Sequence, residues 1–174
     1  MRRLFFTLLL FAGTAGCVPQ VAPPPRPIPS PAPAPAEAPP PPPPAHDWRD
    51  RPATVGDWVY KRDARGSVAL FGPPGTDALL VLRCDTAGRQ VFLSVPGTQA
   101  GAAVIRTSSV SRTVQLLPTG GEPPYLAVAL TPTDPLLDAM GFSRGRFALE
   151  QAGSAPLAIP AWPEIERVTE DCRG

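Results

Sequence analysis

Several groups of residues in this chain are of types that could do chemistry. Gly141, Phe142, Ser143, Arg144 and Gly145 spell the pattern in which a strained strand-to-helix turn exposes a nucleophilic serine. Such a serine needs a general base. The single histidine, His46, stands upstream of it, against the chain order of hydrolases built on this turn. The residues around Ser143 also read as helix then strand, the reverse of what the turn requires, so the motif reads as a helix-ending turn. Two carboxylates could flank a glycosidic bond, Asp57 and Glu150 for instance, but that chemistry needs one raised pKa at a fixed separation, and nothing in the sequence selects a pair. Metal chemistry has no better footing. Residues 47–174 hold no histidine, their two cysteines stand far apart, and Glu164, Glu166, Glu170 and Asp171 read as the solvated face of a helix. No metal site, no cofactor and no catalytic residue is implied, and the protein is expected not to be an enzyme.

Phe71, Gly72, Pro73, Pro74, Gly75 and Thr76 resemble the start of the phosphate-binding loop of AAA-type ATPases. Asp77 and Ala78 then stand where that loop needs glycine and the phosphate-contacting lysine, so a carboxylate would meet the nucleotide and no cation would. The segment reads instead as a Pro-Gly turn between two strands.

The three cysteines say more. Met1, Arg2 and Arg3 precede an apolar run at 4–12 and the small residues Gly13, Thr14, Ala15 and Gly16, the charged, apolar, small order of a secretory signal. About a dozen apolar residues reach only about 18 Å as a helix, against a hydrocarbon core of about 30 Å, so the segment is too short to span a membrane. Thr14, Ala15, Gly16 and Cys17 resemble the lipobox of bacterial lipoproteins, with threonine where leucine is usual. The resemblance implies that Cys17 becomes a lipidated N-terminus after cleavage behind residue 16. It also implies outer-membrane sorting, because Val18 stands where an aspartate commonly retains such proteins at the inner membrane.

These groups need elements to position them. Residues 1–16 are the expected signal peptide, 17–46 the lipidated cysteine and linker, and 47–174 one folded domain of 128 residues, long enough for a single core. The linker is mostly proline and alanine, including Pro23, Pro24, Pro25 and an unbroken proline block from Pro39 to Pro44, and is expected to be polyproline II. Its 26 residues at 19–44 would reach about 80 Å if fully extended. It is expected to act as a stalk.

In the domain, short runs rich in Val, Leu and Phe recur between Gly, Pro and Asp at intervals of about ten residues. They predict strands at 57–60, 68–72, 79–84, 90–95, 103–108, 112–117, 125–130 and 146–151. Two helices are expected. One runs through 133–140, with Pro135 in its first turn and an apolar stripe of Leu136, Leu137 and Met140, and ends at Gly141 or shortly after. The other begins at Ala161, Trp162 and Pro163 and carries Ile165, Val168 and Cys172 at spacings of three and four. The fold class is therefore mainly β, within α+β: a small antiparallel sandwich or barrel-like domain with two short helices, the second C-terminal.

Cys84 follows Leu80 and Leu82 at period two, and Cys172 shares a helix face with Ile165 and Val168, so both thiols turn toward the core. In an oxidising compartment, with Cys17 lipidated, a Cys84 to Cys172 disulfide is expected. Trp58 and Trp162 are expected in the core.

Asp57 and Trp58 opening the domain, together with the tail from Gly145 to Leu149 through Trp162, Pro163, Glu164 and Ile165 to Asp171 and Cys172, resemble uncharacterised proteobacterial envelope lipoproteins. They also faintly resemble the invasion-associated protein B family of small exported β proteins. Neither resemblance carries catalytic residues to this chain. The formal charge of +1 becomes −1 once Arg2 and Arg3 leave, with 14 Lys and Arg against 15 Asp and Glu, and the basic residues alternate with acids. That argues against nucleic acid as a partner. The expected function is a non-catalytic binding or structural module, lipid-anchored in the periplasm, whose partner is another envelope protein or the cell-wall polymer. The alternatives are a periplasmic hydrolase acting on cell-wall material and a small-molecule carrier with a β-lined cavity.

Overall fold

The computed structural model describes residues 47–174; the signal segment, Cys17 and the proline-rich linker lie outside the described residues. Among the described residues a 3-10 turn, Trp48–Asp50, is followed by nine strands and two helices. The strands are β1 (Asp57–Asp63), β2 (Gly66–Gly72), β3 (Leu80–Asp85), β4 (Gln90–Pro96), β5 (Gly101–Arg106), β6 (Ser111–Pro118), β7 (Tyr125–Leu130), β8 (Arg146–Gln151) and β9 (Leu157–Pro160). The helices are α1 (Pro135–Gly141), between β7 and β8, and α2 (Pro163–Arg173), which closes the chain.

Alternation turns one side of each strand inward. Leu80, Leu82 and Cys84 of β3, Val91, Leu93 and Val95 of β4, and Leu126 and Leu130 of β7 are buried together with Phe71, Ile105, Leu116 and Phe147. The sheet is antiparallel and open, in the order β1-β2-β3-β4-β7-β6-β5-β8-β9. Strand β6 joins its two halves: Ser111 to Leu116 pair with β5, and Leu117 and Pro118 pair with β7. The halves share one apolar core. Although β1 and β9 are not paired as strands, Thr54 N donates to Ala158 O at 2.8 Å, Ala158 N to Thr54 Oγ1 at 2.8 Å, and Trp58 Nε1 to Pro160 O at 2.9 Å. The two edges are thereby held together, which satisfies backbone groups that edge strands leave free.

Helix α1 starts where expected. Asp134 caps it, accepting from Leu136 N at 2.9 Å, with Pro135 just inside. Helix α2 packs on β1 to β4 and on α1, burying Ile165, Val168, Thr169 and Cys172. Its placement brings Cys172 to Cys84, with Cα atoms 5.4 Å apart and the sulfurs at disulfide distance.

Three expectations change. Strand β9 is not among the strands the sequence predicts, because its four residues end on a proline and its pairing comes from β8. Trp58 is buried, but Trp162, the residue before α2, is 41% exposed and makes no side-chain cap. The acids of α2 are not one solvated face: Glu170 is exposed, whereas Asp171 accepts from Tyr60 and Arg62, and Glu164 Oε2 and Glu166 Oε1 are buried without a hydrogen-bond partner. No helix among the described residues is long and apolar enough to cross a membrane.

Candidate functional site

Several of the residues that could do chemistry are occupied by structural work. Ser143 is buried at 6% exposure, its Oγ accepts from Ser108 N at 3.0 Å and donates to Arg146 O at 2.6 Å, and Arg144 N donates to Ser108 Oγ. It pins the turn after α1 to the turn between β5 and β6. The segment from Pro73 to Thr76 is a turn, with Thr76 Oγ1 donating to Pro73 O at 2.9 Å and Gly75 at φ +78°.

Asp57 and Glu150 are not brought together. Asp57 is exposed on β1, whereas both oxygens of Glu150 are taken, Oε1 by Arg51 at 3.1 Å and Oε2 by Arg106 at 3.0 Å. The Arg106 hydrogen bond, opposed by partial burial and aided by Arg51, holds the Glu150 carboxyl below its usual range. Asp134 is likewise held low by its bidentate pair with Arg112 at 2.6 and 2.9 Å. No group of three metal-ligating side chains stands among the described residues.

Glu166 runs the other way. Its carboxyl lies in the notch over Gly141, where a Cβ would stand 1.6 Å from Oε1, and a side chain longer than hydrogen would therefore displace it. Burial, reinforced by Asp138 and Glu170 and opposed by Arg173, raises its pKa above the ordinary 4.5. The folded state thus holds this proton more tightly than the unfolded chain, and stability falls as pH rises from about 4.5 through the raised value. Glu166→Gln is expected to raise the melting temperature at pH 7 by a few degrees and to match the parent protein below pH 4.5, as measured by calorimetry across pH. Equal melting temperatures at both pH values would show that the carboxyl is solvated.

The feature with no structural occupant among the described residues is the outer face of β1, β2, β3, β4 and β7, with the end of β6. One row across it reads Val59, Leu70, Val81, Ser94, Ala127 and Leu117, each paired with the next. The next row reads Lys61, Val68, Arg83, Phe92 and Ala129. A half-covered antiparallel sheet ordinarily puts polar residues on its water side. Here that side is largely apolar, with Val59 47% and Leu117 62% exposed at the two ends of the first row, while Val68 between Lys61 and Arg83 is buried at 4%. Two shallow depressions of about 510 and 490 Å³ lie on it, meeting at Val81. The first runs under the turn at 73–78, which Tyr125 fixes by donating from its hydroxyl to Ala78 O at 2.7 Å. The second has Phe92 in its lining and Arg65 and Arg83 at its rim.

The edges of the face differ in charge. On one side Lys61, Arg65 and Arg83 outnumber Asp63 and Asp85, which pair with Arg83 at 2.7 Å and with Arg65 at 2.8 Å. On the other side Asp57, Asp77 and Glu122 are exposed and form no ion pair among the described residues.

Apart from Asp57 and Asp77 at its edge, which the sequence offered for other chemistry, none of these face residues was singled out from the sequence. The available signal was the continuity of the apolar runs at 68–71, 79–82 and 126–130, which suits strands covered on both sides. No family model, curated protein or solved structure matches the chain.

Proposed function

We propose that this chain is a lipid-anchored periplasmic envelope protein of the outer membrane, held through Cys17, whose β-rich domain is a non-catalytic binding module carried on the proline-rich segment 19–44. The observation that carries the binding role is the apolar outer face built on Val59, Leu70, Val81, Phe92 and Leu117, because a contiguous exposed apolar patch on a small domain marks a site of association. The occupation of Ser143, Asp134 and Glu150 by structural hydrogen bonds supports the non-catalytic part. The partner class is another envelope protein or the cell-wall polymer.

The test is made in intact envelopes, with a photoreactive phenylalanine in place of Phe92 and, as control, in place of Val55, an exposed residue ahead of β1. A discrete adduct is expected from position 92 and none from 55. The Cys17→Ser chain is expected to leave the membrane fraction or remain as precursor. Absence of any adduct from the face, or a Cys17→Ser protein that is still processed and membrane-bound, would overturn the corresponding half of the reading.

A further inference from the structure

From the charge and register of this outer face, and resting on its reading as a docking surface, we infer that its occupant is a second copy of this chain, packed face to face about a twofold axis that runs across the strands along the row from Val59 to Leu117.

A rotation about that axis leaves each strand over its own counterpart and reverses its direction. Residues two places to one side of the row then meet those two places to the other side. On β1, Lys61 and Asp57 flank Val59 symmetrically and both point outward, so Lys61 of each copy faces Asp57 of the other, twice per dimer. On β4, Phe92 faces Pro96 across Ser94, and on β7, Ala129 faces Tyr125 across Ala127. On β3, Arg83 is carried toward the edge that holds Asp77. The face is therefore complementary to itself in charge at β1 and, apart from Ser94, apolar along its axis. A single-signed rim would have repelled its own copy.

The size of the face sets the strength. Six strands at about 4.8 Å and about 20 Å of strand length give a footprint of about 500 Å², below the roughly 800 Å² per partner of a standard stable interface. The association is weak in free solution and strengthened where a shared membrane confines both copies.

The test uses the full-length chain in its native envelope, with the photoreactive group at position 92 as the reporter. The expected adduct has twice the monomer mass. Asp57→Lys alone sets lysine against Lys61, and Lys61→Asp alone sets aspartate against Asp57; each is expected to reduce the homodimer adduct by about tenfold. The double variant Asp57→Lys with Lys61→Asp is expected to restore it. Both residues are exposed, so the fold tolerates the changes, and unchanged melting temperatures will verify this. An adduct only to a different protein or to cell-wall material would overturn the second-copy inference and leave the docking face standing. No adduct at all would remove both. A homodimer adduct whose yield ignores all three variants would overturn the proposed axis.

Discussion

Reducing the folded protein is expected to lower its melting temperature by about ten degrees or more. Cys84 ends the inward row of β3, Cys172 lies on the buried face of α2, and 88 positions of sequence separate them. Closing a loop of that length removes about 4.5 kcal/mol of unfolded-state freedom in the chain-entropy model. A domain of this size has a total stability of only about 5 to 15 kcal/mol. The loss should be uneven. Helix α2 keeps Ile165 and Val168 in the core, so reduction loosens the C-terminal turn that carries Asp171 and Cys172 before the sheet. Non-reducing peptide mapping should find residues 84 and 172 in one linked fragment, and reductant should shift calorimetric melting as stated. Thiols at both positions that alkylate freely in the folded, exported protein would refute the pairing.

That cysteine pair was legible because each thiol sits in a local pattern that needs no knowledge of the partner element: period two through Leu80 and Leu82, and spacings of three and four through Ile165 and Val168. The same holds for β7 and β8, whose bounds at 125–130 and 146–151 follow from short apolar runs closed off by turn residues. Strand β9 carries no such signal. It has four residues, two apolar side chains buried at its centre and a proline at its end, and becomes a strand because β8 offers it a ladder.

The outer face failed to show for a related reason. Val81 and Phe92 stand at positions that one strand's alternation marks only as the opposite side. Whether that side meets water, a helix or a partner depends on elements far away in sequence. Helix α2 covers the inward side, next to Cys84, and no described element covers the other. Glu166 was misread likewise. Its helix predicts an exposed position, and only the approach of α1 at Gly141 buries it.

Trp58→Ala is expected to cost about 3 to 5 kcal/mol, enough to leave a marginal domain partly unfolded at 37 °C. The indole is 7% exposed, packs with its ring centre 5.3 Å from that of Phe71, and donates to Pro160 O at the far edge of the sheet. It therefore acts twice, filling the core beneath β1 and β2 and drawing β9 against β1. The two roles separate by substitution. Trp58→Phe keeps an aromatic body and removes the donor, leaving the Pro160 carbonyl with Trp162 N at 3.1 Å as its remaining donor, and should cost about 1 kcal/mol. The Thr54 pair to Ala158 survives both changes, so the edges stay tethered in the Phe variant, while in the Ala variant the cavity opens beneath them. Urea denaturation of the three proteins measures this directly. Equal losses in the Ala and Phe variants would mean that the hydrogen bond across the open edge, and not the buried ring, carries the stabilisation.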